Sequence, residues 1–218
     1  MKIGFLTIGQ SPRPEILTDL PESLGFLEVV EAGALDDLSA KDIESLGPKG
    51  NETVYVSTTR DGSQVLIAEE RLVPLLQEKV KLLRNQGAET IVLLCSGEFD
   101  LGAHGILLPS RILRNSVDSV LNRKGRLGIL IPEEAQFRQA EKYWSEFAEE
   151  VKVSSFSPYV DSIEVLQTSS KALVETDLIV MDCMGYSREH KKVTRQVTRR
   201  PVIAARTVTF HFLEELIL

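Results

Sequence analysis

The sequence predicts an α/β fold made of two related halves. Continuous apolar runs of strand length alternate with stretches whose apolar residues recur at helical spacing, and this alternation is typical of parallel sheets covered by helices. The run Lys2–Leu6 is matched position by position by Arg126–Leu130, where a second cycle of elements begins. Two further runs, in Thr90–Glu98 and Asp177–Tyr186, each end in a cysteine that is followed two residues later by a glycine. We therefore expect a fold that repeats once, with a cysteine at the same place in each half.

The first half is predicted to begin with a strand at Lys2–Ile8 and a rigid loop at Gly9–Pro14, which contains a glycine and two prolines. Asp61-Gly62 is a strong hairpin signal between two short apolar runs. Glu69–Gln86 is the clearest helix, because its apolar residues form one stripe and acidic residues open it. The remaining elements expected here are strands at Phe26–Val30, Thr53–Ser57 and Gln64–Ala68, the Cys95 strand, and helices at Ser39–Leu46 and Pro109–Val120.

The second half is predicted to begin near Lys124. Residues 1–123 would form the first domain, with a hairpin insertion at about residues 52–68, and residues 124–206 the second. After the strand at Arg126 we expect helices at Pro132–Glu149, Ser162–Val174, Glu189–Thr198 and Thr207–Leu218, and strands at Val151–Phe156, at Cys183 and at Pro201–Ala205.

Composition narrows the classes of function. The chain of 218 residues is 43% hydrophobic and 26% charged, as an ordinary globular protein is. A net charge of -7 disfavours broad binding to nucleic acid or to anionic membranes, because both need a positive field. Two cysteines form no disulfide framework, and the N-terminal apolar stretch is too short for a secretory signal. We therefore expect a cytoplasmic protein whose partner is a small molecule, with a homodimer as an open option.

The two cysteines are the main candidates for chemistry. The ends of buried parallel strands are where ligands gather in open α/β sheets, so Cys95 and Cys183 are predicted to lie at a small-molecule site. Each could instead be a small buried apolar residue, as free cysteines often are. Neither a metal nor another cofactor is expected, because no Cys-x-x-Cys motif is present and the three histidines lie at no ligand spacing.

Two thiols facing each other across a cleft could invert a stereocentre without a cofactor. One thiolate would remove the proton next to a carboxylate, and the opposite thiol would deliver a proton to the other face. This requires a thiol pKa below its usual value of about 8.5, which the N-terminus of a helix starting just after each strand is expected to provide. The backbone N–H groups of Ser96-Gly97 and Met184-Gly185 are predicted to hold a substrate carboxylate or a developing enolate.

Three motifs resemble a known family. Thr7–Pro14 (TIGQSPRP), Pro109–Leu113 (PSRIL) and Met181–Tyr186 (MDCMGY) are similar to the AroM family, within the aspartate/glutamate racemase superfamily. The resemblance implies two pseudo-symmetric three-layer α/β domains with mostly parallel four-stranded sheets, a catalytic cleft between them, and a C-terminal helix, 207–218, that returns to the first domain. It also implies cofactor-independent racemisation, isomerisation or decarboxylation of small carboxylates.

The residues next to the thiols depart from the racemase pattern. Racemases resemble Cys-Asn-Thr at the first thiol and Gly-Cys-Thr at the second, whereas this chain has Cys95-Ser96-Gly97 and Asp182-Cys183-Met184. Racemisation of aspartate or glutamate is therefore not expected. The leading hypothesis is a racemase or isomerase acting on another small carboxylate. The alternatives are a single-thiol decarboxylase or cis–trans isomerase, and a non-catalytic small-ligand sensor linked to aromatic amino-acid metabolism.

Further substrate-binding candidates lie at predicted strand and helix ends. Ser11 and Arg13 leave the first strand where a carboxylate could dock, or belong to a surface loop. Arg111 opens a helix against its dipole, which favours a bound anion or a salt bridge. Thr58 lies by the hairpin and could be a solvated turn residue. Tyr186 could cap the pocket or only pack.

The basic run 188–200 is unusual in an acidic protein. A solvated helix face is the ordinary interpretation, and a phosphate-bearing ligand or a partner protein is the alternative. His211, among apolar residues of the last predicted helix, is expected to be packed.

Overall fold

Two parallel four-stranded sheets form the framework of the computed structural model, which describes residues 1–218. The strands are β1 (Lys2–Thr7), β2 (Glu28–Gly33), β3 (Val54–Thr58), β4 (Gln64–Ala68), β5 (Thr90–Leu93), β6 (Ile106–Leu107), β7 (Arg126–Ile131), β8 (Glu150–Ser155), β9 (Leu178–Met181) and β10 (Val202–Ala204). The helices are α1 (Pro14–Leu17), α2 (Ala40–Ser45), α3 (Glu69–Asn85), α4 (Pro109–Leu121), α5 (Phe137–Trp144), α6 (Ile163–Lys171), α7 (Arg188–Thr198) and α8 (Ala205–Ile217).

The two sheets have the same topology. The first has the order β2-β1-β5-β6 and the second β8-β7-β9-β10, with every pair parallel. In each half the first strand is therefore an inner strand, the second lies beside it at one edge, and the last two lie on its other side. The predicted α/β class with parallel four-stranded sheets is confirmed.

A pair of glycines shows how closely the halves correspond. Gly4 lies opposite Ile91, and a Cβ added at Gly4 would be 3.1 Å from the Cβ of Ala88, three residues before Ile91. Gly128 lies opposite Ile179, and its added Cβ would be 2.8 Å from the Oγ1 of Thr176, again three residues earlier. Both glycines thus let the segment that leads into the next strand approach the sheet.

Replacing Gly128 by alanine is expected to lower the free energy of unfolding by about 1–3 kcal/mol, because the new methyl group would overlap a fully packed interior. Chemical denaturation measures the loss. Gly47→Ala is the matched control: Gly47 is in a loop, its nearest neighbour would be 3.3 Å away, and the expected change is below about 0.5 kcal/mol. Equal losses in the two variants would contradict this account of the close approach.

The antiparallel hairpin β3–β4, predicted from Asp61-Gly62, is present. It is also bonded to segments of the second half. The backbone N–H of Val54 donates to Gln139 Oε1 at 3.2 Å, and Gln136 Nε2 donates to the Val54 carbonyl at 3.1 Å. Gln64 donates to Glu133 at 2.7 Å and accepts from the Ser157 hydroxyl at 2.9 Å.

One apolar cluster is shared by the two sheets. Phe5 of β1, Trp144 of α5 and Phe210 of α8 all belong to it. The rings of Phe5 and Phe210 meet edge to face with centroids 6.1 Å apart. The last helix therefore packs on the first sheet, although it follows the last strand of the second. No helix is long and apolar enough to cross a membrane.

Several elements differ from the sequence predictions. The helix expected at Pro132–Glu149 is only a 3-10 turn at Glu134–Gln136 and the eight-residue α5, because the chain must turn after Trp144 to enter β8. The two-residue β6 was not predicted, because it is too short to show periodicity. His211 is exposed rather than packed, with Nδ1 3.3 Å from a carboxylate oxygen of Glu214.

Candidate active site

The two cysteines occupy the same position in the two sheets. Cys95 lies two residues beyond β5, and Cys183 two residues beyond β9. The residue before each cysteine still donates a strand hydrogen bond to the inner strand: Leu94 N–H to the Leu6 carbonyl at 2.7 Å, and Asp182 N–H to the Leu130 carbonyl at 2.9 Å. Each thiol is therefore fixed at the carboxyl end of a strand, where ligands of such sheets bind.

The glycine two residues after each cysteine donates its N–H to the sulfur. The distance is 3.4 Å from Gly97 to Cys95 Sγ and 3.3 Å from Gly185 to Cys183 Sγ. Neither position has room for a side chain, because an added Cβ would be 2.3 Å from Tyr55 Cε1 at Gly97 and 2.6 Å from a ring carbon of Pro158 at Gly185. These N–H groups were predicted to hold a substrate carboxylate, but they point at the thiols.

Both thiols line one cavity of about 650 Å³. Its walls come from both halves of the chain. The first half contributes, among others, Tyr55 and Glu69 as well as Ser96 and Gly97 beside Cys95, and the second contributes Gln136, Tyr143, Asp182 and Cys183. The side chain of Cys183 is more deeply buried than that of Cys95.

Burial raises the pKa of both thiols, and the prediction of a lowered pKa is wrong. No helix starts directly after Cys95, because the chain continues through a loop and β6 before α4 begins at Pro109. After Cys183, α7 begins only at Arg188. The expected effect of a helix N-terminus is therefore replaced by one N–H donor from each glycine, which offsets only part of the effect of burial.

The surroundings of the two thiols are not equal. The effect of burial on the pKa of Cys183 is opposed by Gly185 N–H, by the hydroxyl of Tyr159, which lies 3.7 Å from the sulfur, and by the positive charge of Arg206. For Cys95 the effect of burial is opposed only by Gly97 N–H and is reinforced by the charges of Cys183, Asp182 and Glu69, of which Asp182 also raises the pKa of Cys183. More groups therefore favour the thiolate at Cys183 than at Cys95.

Arg206 ties the Cys183 turn to the first half. Its guanidinium donates to the carbonyls of Met184 at 2.8 Å and Gly185 at 2.7 Å, and to that of Glu15 at 3.0 Å. It also forms an ion pair with Asp19 at 3.1 Å, and its side chain is only 3% exposed. The position of the turn that carries Cys183 therefore depends on one buried cation.

A family model described as "AroM protein" matches residues 3–217 of the chain. The chain belongs to the AroM family. A search of curated proteins finds no match.

Solved structures share the fold of this AroM protein across nearly all of its length. An unliganded arylmalonate decarboxylase superposes with a TM-score of 0.60 at 13% identity, covering 99% of this chain and 91% of that one. Glutamate racemase from Aquifex pyrophilus gives 0.59 at 14% identity, covering 100% and 84%. The maleate isomerase Iso from Pseudomonas putida S16 gives 0.57 at 13% identity, covering 100% and 93%. The chain therefore has the same fold as these three proteins.

The AroM thiols are expected to alkylate slowly at neutral pH. A raised pKa leaves little thiolate at pH 7, so the rate with iodoacetamide should rise about tenfold per pH unit through pH 9 without a plateau. Single-thiol variants separate the sites, and the curve for Cys183, measured in Cys95→Ala, should rise at lower pH than that for Cys95. A plateau below pH 8 for either thiol would contradict the raised pKa. By linkage, the protonated thiols stabilise the folded state below about pH 8.5, and this contribution is lost as the pH rises further.

Ser96 and Gly97 are the predicted substrate-binding residues that line the cavity. Ser11 and Thr58 are buried away from its walls. The Ser11 hydroxyl donates to Asp36 at 2.7 Å, which joins the loop after β1 to the loop after β2. Thr58 accepts the N–H of Gln10 through its carbonyl.

The side chain of Tyr159 lies between Arg13 and Cys183. The Arg13 guanidinium lies 5.9 Å from the centre of the Tyr159 ring, and the Tyr159 hydroxyl is the group beside Cys183 Sγ. One guanidinium nitrogen, Nη1, is 3.3 Å from the hydroxyls of Thr7 and Ser57, and the other, Nη2, is buried without a partner.

The remaining predicted residues lie outside the cavity lining. Arg111 is exposed on α4. Met184 belongs to the shared apolar cluster. Gly185 donates its N–H to Cys183 Sγ, and its carbonyl accepts a hydrogen bond from Arg206. Tyr186 is fully buried and donates its hydroxyl to the Phe156 carbonyl at 2.7 Å.

Sequence reasoning did not select several residues that the fold brings to the thiols. Asp182 lines the cavity, accepts a 2.8 Å hydrogen bond from Trp144 Nε1 and has a pKa raised by burial. The sequence did indicate this residue, because a carboxylate within an otherwise apolar run is unusual. Gln136, Arg138 and Lys142 also line the cavity, but the sequence places them on an ordinary polar helix face. Nowhere in the structure do three or more His, Cys, Asp or Glu side chains gather as a potential metal site.

Proposed function

We propose that this AroM protein is a cofactor-independent racemase or isomerase of a small carboxylate. Cys95 and Cys183 would act as opposed acid and base in a cleft between the two halves. The observation that carries the proposal is that both thiols, from corresponding strand ends of different halves, line one cavity. Relatives of the same fold include racemases, a decarboxylase and an isomerase.

The unequal surroundings of the thiols assign their roles. Cys183 has two donors and a nearby arginine, so it is the thiolate that removes the proton from the carbon next to the carboxylate. The electron pair of the broken C–H bond passes into the carboxylate as an enediolate. Cys95, which burial and acidic neighbours keep protonated, gives its proton to the opposite face. The reverse reaction, or proton exchange with water, restores the starting protonation states.

Polar groups around the cavity are suited to a small polar acid. Arg138 and Lys142 are exposed cations at the cavity that form no ion pair with the protein, so they are free to attract a carboxylate. The buried Gln136 Oε1 has no donor, and a hydroxyl or amino group of the substrate would supply one. The side chains that grip amino-acid substrates in the racemase motif are absent beside both thiols, so the proposed substrate is not aspartate or glutamate.

A decarboxylase is the second candidate, and the raised thiol pKa is the observation that favours it. A thiol that stays protonated is a poor base, but it can protonate the enediolate left when a malonate-type substrate loses carbon dioxide. One thiol is then sufficient. A cis–trans isomerase would likewise need a thiolate, to add to the double bond, so the raised pKa counts against it as it does against proton removal in the leading proposal.

Incubation with chiral 2-hydroxy and 2-amino acids in deuterated water, followed by NMR and chiral chromatography, tests the leading proposal. The expected result is deuterium next to the carboxylate together with inversion for at least one acid, and neither in the double variant Cys95→Ala/Cys183→Ala. Carbon dioxide release from a 2-substituted malonate would favour the decarboxylase instead. Acids that bind in calorimetry and undergo neither reaction would favour the non-catalytic sensor.

The proposed location is the cytoplasm, where free thiols stay reduced. A homodimer stays a prediction that a light-scattering mass in solution would test.

A further inference from the structure

A second cavity, of about 740 Å³, lies between α7 and α8, and no residue lines both it and the thiol cavity. We call it the basic groove. Its eight lining residues are all polar or charged: Arg188, Lys191, Lys192, Arg195, Gln196, Arg199, Thr207 and His211. A ligand there would meet charge and hydrogen-bond donors but no apolar or large aromatic surface.

The cations of the basic groove form one stripe along α7. Their spacing is that of a single helix face, and the stripe is about 16 Å long at the usual helical rise. Only Lys192 has an acidic partner on this helix, Glu189 at 3.7 Å, and both side chains are exposed. The side chains of Arg188, Arg195 and Arg199 form no ion pair within the chain.

Lys191 lies at the centre of this charge. Its ammonium is 3.5 Å from the Thr207 hydroxyl of α8. Burial lowers the pKa of Lys191, and the charges of Arg188 and Arg195 lower it further. The like charges therefore repel one another within the protein, and an anion between them would relieve the repulsion.

The helix dipole does not account for the stripe. Cations are favourable near the C-terminus of a helix, which covers Arg195 and Arg199. Arg188 lies in the first turn of α7, where a positive charge opposes the dipole, and Lys191 and Lys192 lie beyond the first turn, where the dipole does not favour a cation. The dipole therefore favours only two of the five cations, and a bound anion would account for the other three.

We propose that the basic groove binds an oligophosphate group, as carried by nucleoside triphosphates or by inorganic polyphosphate. Arginine and lysine recognise phosphate oxygens by charge-assisted hydrogen bonds. The stripe is longer than one phosphate can contact, so several linked anionic groups fit it better than one. A long nucleic acid is disfavoured, because the rest of the protein carries the excess of negative charge that gives a net -7.

Isothermal titration calorimetry with sodium tripolyphosphate, ATP, adenosine and a single-stranded RNA 12-mer tests the proposal. Tripolyphosphate and ATP should each saturate one site, and adenosine should not bind. Tighter binding of tripolyphosphate than of ATP would point to inorganic polyphosphate as the source, and the reverse to a nucleotide. The affinity should fall at least fivefold when sodium chloride is raised from about 50 to about 300 mM, as expected for binding between charged groups.

Matched double variants separate the groove from general electrostatic attraction. Lys192→Gln/Arg195→Gln removes two exposed groove cations and should weaken tripolyphosphate binding at least tenfold. Lys41→Gln/Lys81→Gln removes two exposed cations elsewhere that form no ion pair, and should change the affinity less than twofold. Unchanged thermal unfolding would show that both variants fold. Absence of saturable binding, equal losses in the two variants, or RNA binding tighter than tripolyphosphate would overturn the proposal. None of these readouts depends on the reaction at the thiols.

Discussion

Cys183→Ala is expected to reduce hydrogen–deuterium exchange next to the carboxylate by roughly 10³-fold for any acid that the wild type processes, the loss expected when a general base is removed. In the proposed mechanism Cys183 is the base, because Gly185 N–H, the Tyr159 hydroxyl and Arg206 favour its thiolate. Exchange followed by NMR measures the loss. Cys95 is still present in this variant, but burial and the neighbouring carboxylates keep it protonated near neutral pH.

Cys95→Ala provides the contrast. This variant keeps the base, so it should still exchange the proton, but with retention of configuration because the opposite proton donor is missing. Chiral chromatography should show inversion reduced by a factor similar to the loss of exchange in Cys183→Ala. Equal exchange in the two single variants would contradict the assignment of roles, and full inversion in either would contradict the two-thiol proposal itself.

Arg206→Met is expected to lower the free energy of unfolding by about 3–5 kcal/mol, the usual cost of breaking a buried ion pair from one side. The substitution leaves Asp19 without its partner and removes the donor from the carbonyls of Met184, Gly185 and Glu15. Urea denaturation measures the change. The Cys183 turn should loosen as well, because its two carbonyls lose their donor.

Arg126→Met is the matched control for Arg206. Arg126 also pairs with an aspartate, Asp177 at 3.2 Å, but both side chains are more than 40% exposed. Exposed pairs contribute about 0–1 kcal/mol, so the loss should stay within that range. Similar losses in the two variants would show that Arg206 does not hold the turn.

The sequence was sufficient for features whose signals are local. The repeat of Lys2–Leu6 at Arg126–Leu130 and the two apolar runs that end in cysteine are visible in short windows, and these windows became β1, β7 and the two thiol-bearing turns. The position of a cysteine at a strand end follows from the run that precedes it. The two-residue β6 and the early end of α5 carry no periodicity, so they could not be foreseen.

Features that depend on distant residues were missed or misjudged. The pKa of Cys95 is raised by enclosure between segments far apart in sequence, whereas the sequence pattern predicted a helix N-terminus that would lower it. Tyr159 and Arg206 reach the Cys183 turn from separate elements. Arg13 was predicted to dock a carboxylate or to belong to a surface loop, and the fold buries it behind Tyr159, outside the cavity lining.

The hairpin β3–β4 has a consequence for how a ligand reaches the thiols. Its bonds to the second half are all made through the side-chain amides of Gln64, Gln136 and Gln139. An amide has no charge to gain or lose at any pH a cell experiences. Three of the four bonds join only uncharged groups, and the fourth joins Gln64 to the carboxylate of Glu133. Separating the hairpin from the opposite wall should therefore depend on acidity through that one bond alone.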